Sequence, residues 1–450
     1  MGETALLAEF TVETEFEDIP GNVIAHAKRT VRDYLGVAVY GSHHEVGDKI
    51  STYVDHCYAS DGVTVIGRGT TSPSGAALAN GTFGHAVDYD DTFESIVIHP
   101  TSPVFAAALA TGETVDAGGS DLLTSYVVGC EVAYRVGHST YPSHYQNGWH
   151  STGTVGSFGA AAAAANLLDL TKSETETAFG IVASGSSALK KNFGSMTKPL
   201  HAGHASEIGV RSALLAQDGF TADTAVLEGK IGYGKAMAPD GSYDATDITE
   251  DLGEEWAVSE ICFKPHPSGV ITHAAMDALR TIAIDEDLGP GDVEHITVAL
   301  DDAASEMLHH TNPDTGLEAK FSIEFCLAAI LRERKAGIHE FTDEYVSEPE
   351  TKAVIEKVER SFEQNLFDAH YAGYGARVTV ETTDGDTFVN EVKTVPGSPD
   401  NPLGEERLRA KFDECVLTVL DEEETEQLAQ TIDSLDSGAT AGDLATLLQP

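Results

Sequence analysis

Apolar residues return every third or fourth position through "AHAKRTVRDYLGVAVYG" (25–41), "SPVFAAALATGE" (102–113), "SDLLTSYVVGCEVAYRVG" (120–137) and "ASEIGVRSALLAQDGF" (205–220). That period predicts amphipathic helices from the N-terminus to about residue 260. The stretch from Gly153 to Leu170 is rich in Ala and Gly. Small side chains let helix axes approach closely, so a tightly packed, nearly all-α domain is expected. After Phe263 the texture changes. "VEHITVAL" (293–300) alternates like a half-buried strand, and "ARVTVETTDGDTFVNEVK" (376–393) reads as a hairpin turning at Asp384-Gly385. Helical spacing is expected between them, at Ala319–Arg334 and Thr351–Arg360. "VPGSPDNPLG" (395–404) is punctuated like a linker, and "EERLRAKFDECVLTVL" and "EQLAQTI" return to helical spacing. The pattern predicts a mainly α protein: a large helical domain from both chain ends (1–262 and 397–450) and a smaller α+β domain (263–396).

Charge narrows the function. The 450 residues carry 27 basic and 73 acidic side chains, a formal net charge of −46. Nucleic acid needs a basic footprint, which is missing, and an anionic membrane surface is disfavoured for the same reason. The excess reads as adaptation to a high-salt cytoplasm, where ions screen self-repulsion. Because the screening length falls to about 3 Å at 1 M salt, melting is expected well above its low-salt value in molar salt. Equal melting temperatures in the two media would refute the halophilic reading. The five cysteines, Cys57, Cys130, Cys262, Cys326 and Cys415, are scattered and lack CxxC spacing. They are expected as reduced cytosolic thiols, without a disulfide framework or structural zinc. The N-terminus lacks signal-peptide character, and "GSFGAAAAAANLL" is too short to span a bilayer, so a soluble cytoplasmic protein is expected.

Several stretches carry candidate chemistry. "GHAVDYDDTF" (84–93) holds three carboxylates among apolar residues; on a helix, His85, Asp88 and Thr92 would share one face. A calcium loop is excluded, because Phe93 stands where Gly is needed and His99 where the closing Glu is needed. His99, before Pro100, is biased to extended backbone, which suits a turn presenting an imidazole. In "HYQNGWHSTGTVGSFGAAAAAA", Tyr145 and His150 precede a small-residue helix; the Gly153, Gly156, Gly159 spacing follows no strand and is no dinucleotide fingerprint. "MTKPLHAGHASEIGV" and "CFKPHPSGVITHAAMDAL" each put Lys-Pro at a predicted helix entry, with His201 and His204, or His266 and His273, close by. Lysine sits at the unfavourable end of the helix dipole there, so an anion site shared by amides and the Lys198 and Lys264 ammonium groups is the functional reading. Neither a metal-ligand cluster nor a nucleotide loop is recognisable, so activity without metal or organic cofactor is expected.

In order along the chain, "NGTFGHAVDYDDTF…HPTSPV", "GWHSTGTVGSFGAA", "TKPLHAGHASEIGV", "FKPHPSGVITH", "LEAKFSIEFCLAAIL" and "GSPDNPLGEERLRAKF" resemble the successive motifs of the MmgE/PrpD family. That family includes 2-methylcitrate dehydratases, cis-aconitate decarboxylase and iminodisuccinate epimerase. The resemblance implies a helical domain made of both chain ends, an α+β lid, a homodimer, and a cofactor-free site between the domains for a small polycarboxylate. By motif it points to Asp88, Thr92, His99, His150, Lys198 and Lys264. Decarboxylase-like members carry a His five residues after the lid lysine and a Tyr in the helix matching "AKFSIEF"; this chain has Gly269 and Phe325. Tyr145, His266 and His273 are the candidate replacements.

The family chemistries start with proton removal beside a carboxylate, with cations stabilising the developing charge. Lys198 or His150 is expected to move the proton, Lys264 and His99 to bind carboxylates, and Asp88 to orient one of these groups. If the two lysines lie close together, each lowers the other's pKa. Elimination of water comes first among the reactions and epimerisation of an amino- or imino-dicarboxylate second. Decarboxylation ranks lower, and an inactive carboxylate-binding scaffold is the non-enzymatic alternative.

Overall fold

The computed structural model describes residues 2–302, 304, 307–364, 366–367 and 374–449. The chain divides into two compact units. One comprises Met1–Ala86, Asp90–Ile261 and Leu408–Pro450; the other comprises Val87–Tyr89 and Cys262–Arg407. The described residues are mainly α-helical and form two small sheets.

In the larger unit each expected helix forms: Gly21–Ser42, Thr101–Thr114, Gly119–Thr140, Ser151–Leu167 and Thr197–Gln217. Ser151–Leu167 is buried from Ser151 through Ala165. It packs against Thr101–Thr114, Gly119–Thr140, Lys172–Gly185 and Thr197–Gln217. Glycine makes that density possible. A Cβ on Gly159 would come within 2.6 Å of the Gly129 carbonyl, and one on Gly203 within 2.3 Å of the Leu78 carbonyl. Backbone cannot yield there, so methyl groups would force the axes apart, at a cost of about 1–3 kcal/mol per overpacked site. A short antiparallel pair, β1 (Val63–Val65) and β2 (Gly69–Thr71), interrupts the helices and was not expected from the pattern.

In the smaller unit β3 (Val293–Asp301), β4 (Val358–Glu363), β5 (Ala376–Thr382) and β6 (Thr387–Val392) form one sheet, in the order β4-β3-β5-β6. β3 runs parallel to β4 and antiparallel to β5. The β5–β6 hairpin turns where expected, with Gly385 at φ +91°, a conformation glycine adopts without steric cost. The expected helix over Thr351–Arg360 is corrected: the helix is Pro349–Ile355, and Val358 already belongs to β4. "VERSFE" is a half-exposed edge strand whose acidic residues dilute the alternation that would have marked it. The helices His273–Asp285 and Ile323–Glu333 pack on each other; the first contacts β5 and β6, the second β4.

Candidate active site

The acidic motif does not continue a helix. Ser72 caps the helix Pro73–His85, which ends at His85, and Asp88 takes a left-handed conformation with φ +57°. Aspartate tolerates that region better than most residues, and it cannot be extended as a helix. The expected common helical face of His85, Asp88 and Thr92 is therefore corrected. Residues 86–100 instead fold as buried turns that face polar groups inward.

Those turns build an imidazole cluster in the larger unit. The His85 and His99 rings lie 4.4 Å apart, and His150 is 5.8 Å from His85 and 6.4 Å from His99. All three are buried. Asp90 holds the first two: its carboxylate oxygens lie 2.9 and 3.0 Å from His85 Nδ1, and its Oδ1 is 3.4 Å from His99 Nδ1. Ser102 Oγ donates to the same carboxylate at 2.6 Å. The Asp91 backbone carbonyl lies 2.9 Å from His99 Nδ1. A carbonyl only accepts, so His99 carries its proton on Nδ1 and, when neutral, its lone pair on Nε2. Thr152 Oγ1 accepts the His99 backbone N–H at 3.0 Å.

His150 occupies the N-cap position of Ser151–Leu167, with its Nδ1 3.0 Å from His201 Nδ1. One of the pair must donate and the other accept. Burial, then the Lys198 charge, pushes His150 well below the usual imidazole range, with His85, His201 and His99 adding to it. Burial, then His85, Lys198 and His204, pushes His201 down to about 4. His144 falls to about 4 through burial and Lys190. These imidazoles are neutral at pH 7. A pH titration of the histidine side-chain NMR signals should find His144 and His201 neutral until about pH 4; midpoints near 6.5, the ordinary value, would contradict the geometry.

Lys198 lies in the first turn of Thr197–Gln217, immediately before Pro199, as expected, and only 6% of it is exposed. Its Nζ stands 5.3 Å from the Phe193 ring centroid, and Phe193 in turn packs edge-on to His150 at 4.9 Å. Thr92 is buried and, among the described residues, its Oγ1 has no hydrogen-bond partner. Tyr145 is half-buried in the short helix Ser143–Gln146, with Lys190 Nζ 3.7 Å from its ring centroid.

A second set of groups lies in the smaller unit. Lys264 Nζ donates to Asp88 Oδ1 at 2.6 Å, to the Asp88 carbonyl at 3.0 Å and to the Ser268 carbonyl at 3.2 Å. Both members of this ion pair are buried. The helix-entry expectation for Lys264 is corrected: residues 265–268 form bends and a 3-10 turn follows at Val270–Thr272, so the helix starts only at His273. Two prolines in "KPHPSG" (264–269) remove amide donors and delay it. His266 Nδ1 lies 2.8 Å from the Ala336 carbonyl, which places its proton there. The fully buried His273 ring is 5.7 Å from it, and burial, then His266 and Lys264, holds His273 well below the usual range.

Sequence reasoning missed His85 and Asp90 as site groups, and it missed Lys320. The buried Lys320 ammonium donates to the Val87 carbonyl at 2.8 Å and the Pro267 carbonyl at 2.9 Å. A lone Lys among apolar residues was the signal available.

His85, His99 and His150 present ring nitrogens within 4.8 Å of one another, a donor set that suits a transition metal. Lys198 weighs against a cation there, because its charge already disfavours protonation of both His150 and His201. Neutral imidazoles with donor N–H groups beside a buried ammonium suit an anion instead.

The chain matches the MmgE/PrpD N-terminal domain over residues 5–246 and the MmgE/PrpD C-terminal domain over residues 266–437. It is 28% identical over 471 residues to the cis-aconitate decarboxylase-like protein oryM of Aspergillus oryzae, covering 99% of this chain and 97% of that one. It is 28% identical to the cis-aconitate decarboxylase of Mus musculus, over 95% of this chain and 89% of that one. It is 25% identical to the cis-aconitate decarboxylase of Aspergillus terreus, over 97% and 93%. Two family domains in the expected order, on a chain whose buried imidazoles and lysines fall within the quoted motifs, lead to one conclusion: this protein belongs to the MmgE/PrpD family.

Proposed function

We propose that the protein is a lyase acting on a small di- or tricarboxylate, working without metal or organic cofactor by proton transfer at the carbon beside a carboxylate. The observation that carries this reading is Lys198, a buried ammonium electrostatically coupled to two neutral imidazoles, His150 and His201. An ammonium stabilises charge developing on an enolised carboxylate, and a neutral imidazole accepts a proton at pH 7. Thr92, whose hydroxyl has no partner among the described residues, and His99 supply further hydrogen bonds to the substrate.

Dehydration of a hydroxy-tricarboxylate is the leading reaction. Gly269 and Phe325 support it, since both positions lack the proton-transfer group of the decarboxylase-like members. Packing does not compel the glycine: a Cβ there would meet nothing closer than 3.6 Å, and its φ is −57°. Phe325 is fully buried against Phe341 and Tyr345. The names of the relatives favour a second reading, loss of carbon dioxide from cis-aconitate. The test is a panel of di- and tricarboxylates incubated with the chelator-treated enzyme in deuterated water and followed by NMR. Alkene formation with deuterium exchange supports dehydration. Carbon dioxide release with deuterium incorporated beside a remaining carboxylate supports the second reading, and exchange with inversion would replace both by epimerisation. Turnover that appears only with added divalent ion would overturn the cofactor-free part.

A further inference from the structure

Behind the imidazole cluster, four helix-borne and turn-borne groups line up in the core of the larger unit. Thr30 Oγ1 lies 2.8 Å from the Ala27 carbonyl, and the Tyr126 hydroxyl lies 2.8 Å from Thr30 Oγ1. Thr101 Oγ1 is 2.6 Å from the Tyr126 hydroxyl and makes a short contact with Asp91 Oδ2. Thr30, Tyr126, Thr101 and Asp91 are each 1% exposed or less. The line has four oxygen–oxygen contacts: Ala27 to Thr30, Thr30 to Tyr126, Tyr126 to Thr101, and Thr101 to Asp91.

Each contact needs one proton to be a hydrogen bond and not a repulsion between lone pairs. A Thr or Tyr hydroxyl has one proton, so the three hydroxyls supply three. The Ala27 carbonyl can only accept. The fourth proton has one possible source among the groups in line, the carboxyl of Asp91. With that proton in place all donors point one way, from Asp91 through Thr101, Tyr126 and Thr30 to the carbonyl. We propose that Asp91 is a neutral carboxylic acid in the folded protein, and that in this state it is a positioning residue for His99.

The consequence for His99 follows from connectivity. The Asp91 backbone carbonyl fixes the His99 Nδ1 proton, while the Asp91 side chain is tied to the hydroxyl line and accepts the Thr101 backbone N–H at 3.4 Å. Asp91 is thus a two-ended clamp between the rigid helix Gly21–Ser42 and the imidazole that faces the chemistry. Neutrality also spares the cluster a second carboxylate charge beside Asp90, which would repel an anionic ligand. The surroundings agree. Burial raises Asp91 well above the usual carboxylate range and the Thr101 hydroxyl bond opposes this, while Asp33 and Asp90 add to the rise. The facing groups are Asp33 on Gly21–Ser42, whose own carboxylate pairs with Lys411 at 2.9 Å, Tyr126 and Cys130 on Gly119–Thr140, and Asp90 and His99 in the turns.

The test needs no substrate, so its outcome is separate from that of the proposed function. Infrared difference spectra of the full chain, carrying carbonyl-labelled aspartate, are recorded for wild type minus Asp91→Asn at pH 7 and 8. A protonated-carboxyl stretch present in wild type and absent in the variant supports the proposal; a difference confined to the carboxylate bands overturns it. Tyr126→Phe removes two contacts and one proton, so the two remaining hydroxyl protons serve the two remaining contacts and Thr101 can donate to an ionised Asp91. Its carboxyl should therefore titrate at lower pH than in wild type, and this comparison carries the test if the Asn variant does not fold. The positioning role is read from the His99 Nδ1 resonance, which Asp91→Asn should preserve and Asp91→Leu should shift. An unshifted resonance in the Leu variant, or a shift of the same size in both, removes the clamp.

Discussion

Lys198→Met is expected to lower turnover roughly a hundredfold or more while leaving stability unchanged or slightly higher. The methionine keeps most of the stem and its packing against Phe193, but deletes the ammonium and its titratable nitrogen. Three facts set the sign of the stability change. Lys198 is buried, it sits in the first turn of a helix, and it depresses the proton affinity of His150 and His201. A cation is unfavourable at a helix N-terminus and costly to bury, so deleting the charge relieves both penalties. Removing it should also raise the pKa of His150 and His201, visible by histidine NMR. Lys172→Met is the control: that lysine is half-buried and pairs with Glu9 at 2.8 Å, so a change within about 1 kcal/mol and normal turnover are expected. Near wild-type turnover of an identified substrate by Lys198→Met would defeat the assignment, whatever the reaction is.

Parts of this arrangement were legible in the chain and parts were not, for physical reasons. Helices announce themselves by period, and those carrying Thr101 and Lys198 were placed from it, while the one carrying Ser151 was marked by its run of small residues. The hairpin at Asp384-Gly385 was equally plain, because the turn chemistry is local. The turns from residue 86 to 100 were not. Their shape depends on one left-handed residue, Asp88, and on carboxylates satisfied from inside the core, where a solvated acidic face is the ordinary reading. His85 and Asp90 were thus missed as partners although they stand five residues apart. The line from Thr30 through Tyr126 to Thr101 joins groups 96 and 25 residues apart. Nothing local distinguishes Tyr126 from a core aromatic on an apolar helix face. Proton counting becomes possible only when the oxygens are in place.

Lys264→Met should act on stability before it acts on chemistry, in contrast to Lys198→Met. All three ammonium protons of Lys264 are engaged, by Asp88 Oδ1, the Asp88 carbonyl and the Ser268 carbonyl, in a pair with 3% and 6% side-chain exposure. They tie down a residue whose backbone is left-handed, with φ +57° at Asp88. Breaking a buried ion pair by removing one member is strongly destabilising, a loss of roughly 3–5 kcal/mol. Asp88→Asn should be smaller, since its amide oxygen still accepts, and the double variant Asp88→Asn/Lys264→Met should lose less than the sum of the two. Global melting of a two-unit chain is a poor gauge of this, so local opening is the measurement. Cys262 is buried two residues before Lys264, and its thiol reacts with an alkylating reagent only when the segment opens. Labelling located by mass spectrometry should speed up at least about a hundredfold in Lys264→Met, while Cys130 and Cys415 of the larger unit keep wild-type rates. If Lys264 were primarily a ligand for a substrate carboxylate, Cys262 would stay protected and KM alone would rise. That result would return Lys264 to the binding role expected from its motif and leave Asp88 without its partner's support.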